Sequence, residues 1–186
     1  MKKTIMIVLM ICLVLTGCQK GEARQGSVAD QEMNSGASMD EENPVVGVDL
    51  SGIEMKDIEG NSLDGSIFKA KKLTVLNLWA TWCGPCVEEM PEFEEVWQEM
   101  KDQDVQFIGL AIDSDANEIL DLKKNLKITY PLISESKALT EEIASQFDYV
   151  PVTLFVDGQG KVIDTIIAGG TSGKNLKASI EGLLNE

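Results

Sequence analysis

Two cysteines three positions apart, Cys83 and Cys86, are the residues whose type and spacing could perform covalent chemistry in this chain. The chain has four cysteines and no histidine, and the other two cysteines lie near the N-terminus. A tetrahedral zinc site needs four ligands, usually Cys or His, and a disulfide that closes so short a loop constrains the unfolded chain little. The pair therefore indicates redox chemistry, and we expect no metal and no organic cofactor.

The local pattern assigns different roles to the two thiols. A buried strand is predicted to end at Trp79 and a helix to begin near Gly84, which places Cys83 at the helix N-terminus. Unpaired backbone N–H groups and the helix dipole favour a thiolate there. Cys83 is thus the predicted nucleophile, and Cys86, one turn further and more shielded, is the predicted resolving thiol.

Neighbours of the two thiols are candidates for contacting a substrate. Gly84 lets the backbone of a partner approach closely, and Pro85 suits the first turn of a helix. Trp82 is predicted to cover the pair, although a plain core aromatic remains an alternative interpretation of this residue.

The chain after residue 45 alternates strand and helix signals. Strands are predicted at 53–58, 73–79, 105–112, 132–133, 152–156 and 161–168, and helices at 84–101, 118–126, 138–147 and 175–184. Turns at 59–61 and 157–160 predict two β-hairpins. The apolar stripe of the first helix is predicted to comprise Val87, Met90, Phe93, Trp97 and Met100. This alternation predicts an α/β fold with a mixed sheet covered by helices.

The N-terminal segment has the features of a secretory signal. A basic start and an apolar run precede Leu15-Thr16-Gly17-Cys18, which resembles the bacterial lipobox. We therefore expect residues 1–17 to be a lipoprotein signal peptide and Cys18 to carry the lipid, with an ordinary signal peptide as the alternative. Residues 18–44 are predicted to be a lipid-anchored flexible tether, and residues 45–186 the folded domain.

The net charge of −15 excludes one class of partner. Binding to nucleic acid needs Lys and Arg to neutralise phosphates, so no nucleic-acid function is expected. A monomer is expected, because no long apolar stripe is left unassigned.

The run Trp82-Cys83-Gly84-Pro85-Cys86 resembles the active site of thioredoxins. Val150-Pro151 resembles the cis-proline that faces the dithiol in that family and pairs with the substrate backbone. This resemblance implies a thioredoxin-like fold, a mixed central sheet flanked by helices, with an N-terminal β-hairpin and an inserted strand–helix element. It also implies substrate-binding roles for Trp82, Gly84, Pro85, Val150 and Pro151.

Two further positions resemble the membrane-tethered TlpA/ResA-like branch of the family. Asn77 stands where thioredoxin has a buried Asp, and Glu89 lies three positions past Cys86. In that branch an acidic residue at this position takes part in the acid–base behaviour of the thiols, which implies a catalytic role for Glu89. A solvated glutamate on the helix surface is the alternative.

The resemblance implies an extracytoplasmic thiol–disulfide oxidoreductase anchored to a bacterial cell membrane by its lipid. Implied partners are disulfide-containing extracytoplasmic proteins, for example in cytochrome c maturation or methionine sulfoxide reductase systems, and a membrane dithiol as electron donor. A thiol peroxidase is one alternative, although Ala80 stands where peroxidatic sites carry Thr. A non-enzymatic binding lipoprotein on the same scaffold is the other.

Overall fold

The computed structural model of the protein describes residues 42–185. The predicted signal peptide, the predicted lipidation site Cys18 and nearly all of the predicted tether lie outside this part of the chain. The described strands are β1 (Glu54–Asp57), β2 (Ser62–Asp64), β3 (Leu73–Trp79), β4 (Val105–Ala111), β5 (Leu132–Ser134), β6 (Val152–Asp157) and β7 (Val162–Ala168). The described helices are α1 (Gly84–Met100), α2 (Ala116–Asn125), α3 (Lys137–Glu142) and α4 (Gly173–Leu184).

The strands form one mixed sheet in the order β2-β1-β5-β4-β3-β6-β7. β3, β4 and β5 run parallel, whereas β6, β7 and the β1–β2 hairpin are joined to them by antiparallel pairing. The α2–β5–α3 segment between β4 and β6 contains the predicted inserted strand–helix element. The thioredoxin-like fold and its N-terminal hairpin are thus confirmed, and the sheet directions bring the ends of β3, β4 and β5 and the start of β6 together.

Two apolar cores lie on the two faces of the sheet. Side chains of α1, α2 and α4 pack on one face, with Met90, Phe93 and Leu176 among them. α3 and the short 3₁₀ turn at Gly65–Lys69 contribute Leu139 and Phe68 to the other face. Because β3 and β4 are buried along their whole length, their sequences are mostly apolar and do not alternate, with Thr74, Asn77 and Gln106 as buried polar exceptions.

The buried face of α1 differs from the predicted stripe. It comprises Cys86, Glu89, Met90, Phe93, Val96 and Met100, whereas Val87 and Trp97 are only half-buried. The spacing of three and four residues is the one expected of a helix face, but the face is rotated so that it includes Cys86 and Glu89. Apolarity alone therefore misplaced the stripe, because two polar or reactive side chains belong to it.

Among the described residues, Asn43 already contacts the domain, two residues before its predicted start. The Asn43 side chain is buried, and its Nδ2 donates to the carbonyl oxygen of Ile163 at 2.8 Å. The Gly47 N–H donates to Val162 O, and Val48 O accepts from the Val162 N–H. Residues 43–50 thus cover part of the edge strand β7, whose backbone groups would otherwise be open to pairing with another chain.

Candidate active site

Cys83 and Cys86 form a disulfide at the N-terminus of α1. Cys83 is the N-cap residue, and its Sγ accepts a hydrogen bond from the backbone N–H of Cys86 at 3.3 Å. Cys83 is 5% exposed and Cys86 is fully buried, so an incoming group reaches Cys83 first. The roles of Cys83 as nucleophile and Cys86 as resolving thiol stay a prediction, and Cys83 is the more accessible of the two sulfurs.

A loop before β6 faces the disulfide. The Val150–Pro151 peptide bond is cis, as the family resemblance implied. The carbonyl oxygen of Val150 lies 3.7 Å from Sγ of Cys83. This loop therefore lies directly beside Sγ of Cys83, the predicted reacting sulfur. A polypeptide bonded to Cys83 would lie against the backbone of Val150.

Glu89 lies inside the protein, on the helix face that carries Cys86. It is 6% exposed and accepts two hydrogen bonds, from Asn77 Nδ2 at 3.1 Å and from the backbone N–H of Thr171 at 3.0 Å. The interpretation of Glu89 as a solvated surface residue is therefore wrong. Thr171 was not singled out from the sequence, and no local pattern near Glu89 points to a partner 82 positions away.

Burial raises the pKa of Glu89 from 4.5 to about 7. The two hydrogen bonds act in the opposite direction, and the nearby charge of Glu92 adds to the rise. A carboxyl group with this pKa exchanges its proton near neutral pH, which is the property required of a general acid or base. Glu89 supplies this property in a chain that has no histidine.

A small cavity connects Glu89 with the surface. Its volume is about 70 Å³, and it lies between the start of α1 and the loop before α4. Its lining comprises Pro85, Glu88, Glu89, Glu92 and residues 170–172. The carboxyl group of Glu89 therefore lines the same cavity as the exposed Glu88 and Glu92.

Asn77 connects Glu89 to strand β6 through two hydrogen bonds. Its Nδ2 donates both to Glu89 and to Thr153 Oγ1, the latter at 3.2 Å. Thr153 is the partner of Asn77 in the β3–β6 register. The side-chain amide of Asn77 therefore does not take part in proton transfer itself, but its hydrogen bond positions the Glu89 carboxyl group, which can.

Trp82 is exposed, with 65% of its surface open to solvent, so the core-aromatic interpretation is wrong. Its indole Nε1 donates to the carbonyl oxygen of Asp113 at 3.1 Å, in the loop after β4. Gly84 and Pro85 are also exposed, at the first two positions of α1. Tyr149, which the sequence did not single out, is 42% exposed next to Val150.

Residues 42–185 contain no group of three or more His, Cys, Asp or Glu placed to hold a metal ion. None of the helices in the same range is long and apolar enough to cross a membrane.

A redox-active Cys-Gly-Pro-Cys pair at a helix N-terminus, facing a cis-proline loop, defines a thioredoxin-like dithiol site on a thioredoxin-like fold. Residues 46–181 match the family model described as Redoxin, and the chain belongs to that family.

Curated relatives of the chain are named thiol-disulfide oxidoreductases. The chain is 28% identical over 187 residues to the thiol-disulfide oxidoreductase ResA of a Bacillus cereus strain, covering 100% of this chain and 97% of the relative. It is 27% identical over 123 residues to the sporulation thiol-disulfide oxidoreductase A of Bacillus subtilis (strain 168), covering 63% and 72%. These matches confirm the predictions of a TlpA/ResA-like thioredoxin-family protein and of a thiol–disulfide oxidoreductase.

Solved structures share the fold. A thiol:disulfide interchange protein from Chlorobium tepidum TLS superposes with a TM-score of 0.63 at 21% identity, covering 73% of this chain and 94% of that one. StoA from Bacillus subtilis superposes with a TM-score of 0.58 at 24% identity, covering 73% and 98%. At these identities the superpositions support the fold.

Proposed function

We propose that the protein is a lipid-anchored, extracytoplasmic reductase of disulfides in secreted or membrane proteins. One observation carries the proposed exchange activity. The Cys83–Cys86 pair occupies the N-terminus of α1, with the more accessible sulfur 3.7 Å from the Val150 carbonyl oxygen. This arrangement lets a partner cysteine reach Cys83 while Cys86 stays behind it.

The reaction is a pair of thiol–disulfide exchanges. In the reduced enzyme, the Cys83 thiolate attacks one sulfur of the target disulfide, and the other target sulfur leaves as a thiolate that takes up a proton. Cys86, once deprotonated, attacks Sγ of Cys83 and releases the second target thiol. Two electrons pass to the target, and the enzyme ends as the Cys83–Cys86 disulfide. A dithiol donor must then reduce this disulfide for a further cycle.

Glu89 is proposed to accept the proton of the Cys86 thiol. Cys86 is fully buried, so its thiolate is costly to form without a nearby base. Glu89 lies three positions along the same buried helix face, with a pKa of about 7 and a cavity that opens to solvent. It can therefore take up the proton during resolution and pass it to water.

The reductive direction is proposed from the Gly84-Pro85 dipeptide, which resembles that of reducing thioredoxins. Direction depends on the reduction potential of the pair relative to its surroundings. A membrane dithiol is the proposed donor. A potential near that of the strong oxidant DsbA, about −120 mV, would overturn the reductive direction while leaving the exchange chemistry intact.

The location is proposed from the N-terminal signal and the lipobox-like run that ends at Cys18. Two acyl chains on Cys18 would anchor the protein stably. Replacing Cys18→Ala should release the protein from the membrane fraction and abolish incorporation of labelled fatty acid. Unchanged membrane association and labelling would contradict the anchor.

Trapping of partners tests the activity itself. Cys86→Ser should accumulate mixed disulfides with extracytoplasmic proteins, because the resolving step is lost. Cys83→Ser is the matched control: it should trap no partner and should not reduce insulin. A Cys83→Ser variant that still reduced a test disulfide would refute the assigned roles.

A further inference from the structure

Two exposed aromatic side chains flank the disulfide. Among residues 42–185, the exposed large apolar side chains are Val46, Trp82, Leu120 and Tyr149. Trp82 precedes Cys83 and reaches towards the loop after β4, whereas Tyr149 precedes Val150 on the β6 side. β4 and β6 lie on opposite sides of β3 in the sheet. The disulfide therefore lies between the loop that Trp82 contacts and the loop that carries Tyr149. Exposed apolar groups beside a reactive site favour contact with a partner.

Acidic side chains surround this aromatic pair. The strand directions bring the start of α1, the loop after β4, the start of α2 and the loop before β6 to one end of the sheet. We call the exposed carboxylates at this end the redox rim: Glu88, Glu92, Asp113, Asp115, Glu118 and Asp148. Two of them belong to the wall of the site, because Glu88 and Glu92 line the cavity above Glu89.

Lysines are scarce at the redox end. Lys137 and Lys174 stand at the starts of α3 and α4, and Lys137 is paired with Glu141 at 3.7 Å. The opposite end of the sheet holds a larger group, in the segment before β3, the ends of α1 and α2 and the β6–β7 turn. This group comprises Lys69, Lys71, Lys72, Lys101, Lys123, Lys124, Lys127 and Lys161. The redox end is thus acidic because carboxylates are concentrated there and most lysines lie at the opposite end, and not only because the chain has a negative net charge.

We propose that the redox rim, together with Trp82 and Tyr149, is a docking surface for a cationic polypeptide segment with an apolar side chain beside its disulfide. The inference rests on the proposed function, because it names a substrate class for the same dithiol. Opposite charges steer a partner and raise the association rate, and they reject partners of like charge. Trp82 and Tyr149 contact the apolar side chain once the partner has arrived.

Three short peptides, each closed by one internal disulfide, test the charge preference. They differ only in the residues on both sides of each cysteine, which are Lys in the first peptide, Glu in the second and neutral Ser in the third. Reduced enzyme at low ionic strength should reduce the Lys peptide about tenfold faster than the Glu peptide, measured as second-order rate constants. At 1 M salt the Debye length falls to about 3 Å, and the rates should converge.

A triple variant assigns the preference to the rim. Asp113→Asn, Asp115→Asn and Asp148→Asn remove three charges with little change of shape. Asn tolerates the positive φ of residue 113 and caps helices as Asp does, and Trp82 binds the backbone carbonyl of Asp113, which remains. The rate with the Lys peptide should fall about fivefold at low salt, and the rate with the Ser peptide should not change.

The matched control removes three charges from the opposite end. Asp49→Asn, Asp102→Asn and Asp104→Asn change exposed residues; Asp49 pairs with Lys161 of the β6–β7 turn, and residue 104 also has a positive φ. This control should leave the preference for the Lys peptide unchanged. An equal loss in both triple variants would show that only the net charge acts, and the docking surface would be refuted.

The aromatic contribution has its own pair of variants. The wild type should reduce a peptide with Leu beside the cysteine faster than a peptide with Ser there. In Tyr149→Ser the ratio of these two rate constants should be about fivefold smaller. Val46→Ser removes an equally exposed apolar side chain from the segment along β7 and should not change the preference.

The outcomes separate the two proposals. Equal rates for the Lys and Glu peptides at low salt would overturn the docking surface and leave the reductase intact. No reduction of any peptide, including the Ser version, would overturn the reductase and with it the docking surface.

Discussion

Glu89→Gln gives a quantitative test of the buried carboxyl group. The pKa of Glu89 is raised from 4.5 to about 7 in the folded protein, so folding favours its protonated form. Stability from this group is fully present below pH 4.5 and is lost as the pH rises to about 7. At 1.36 kcal/mol per pKa unit, the shift corresponds to a loss of about 3 kcal/mol.

Gln stays neutral at every pH and does not incur this loss. It accepts only through Oε1, so one of the hydrogen bonds from Asn77 and Thr171 is lost. That loss costs about 1 kcal/mol at all pH values. The variant and the wild type should thus be nearly equally stable at pH 5, and the variant should be about 2 kcal/mol more stable at pH 8.5.

Urea unfolding of the oxidised proteins between pH 5 and pH 8.5 measures this difference. With the disulfide formed, neither cysteine titrates, and the other titrating groups are common to both proteins. Glu88→Gln, one position away and exposed, is the control and should change the free energy of unfolding by less than about 0.5 kcal/mol. A stability difference for Glu89→Gln that stays constant between pH 5 and pH 8.5 would refute the raised pKa and the proton-transfer role that depends on it.

Three further results are expected. Glu89→Gln should remove an inflection near pH 7 from the pH dependence of the rate of target release, because no group then takes the Cys86 proton. Stopped-flow kinetics of a preformed mixed disulfide measure this rate, and an unchanged pH dependence would show that Glu89 has no role in it. Asn77→Asp should raise the pKa of Glu89 above 7 by replacing a donor with a second carboxyl group, so its stability should fall more steeply with pH than that of the wild type in the same urea series. Gly109→Ala should lower the free energy of unfolding by about 1–3 kcal/mol, because the added Cβ would come within 2.5 Å of Leu132 Cδ2; a variant as stable as the wild type would show that this packing is loose.

Local residue patterns were enough to predict the elements around the dithiol. A run from Leu73 to Trp79 without charged residues predicts a buried strand, and the helix that follows is marked by Pro85 in its first turn. These features depend on side-chain polarity and backbone preference within a few residues. The cis form of Val150–Pro151 and the inserted element came instead from the family resemblance, whose motifs this chain carries.

Contacts between distant segments decided the rest. The same residue, Glu89, suits a solvated helix surface or a buried face, and its environment depends on Asn77 of β3 and on the loop before α4 meeting it across the sheet. Trp82 likewise gives no local sign that its ring lies outside the core on the loop after β4. The amino-acid sequence by itself determined which two thiols react and where on a helix they lie, because capping and strand formation are local. Only the tertiary structure decided which carboxyl group is desolvated beside them, because burial depends on packing between residues far apart in the chain.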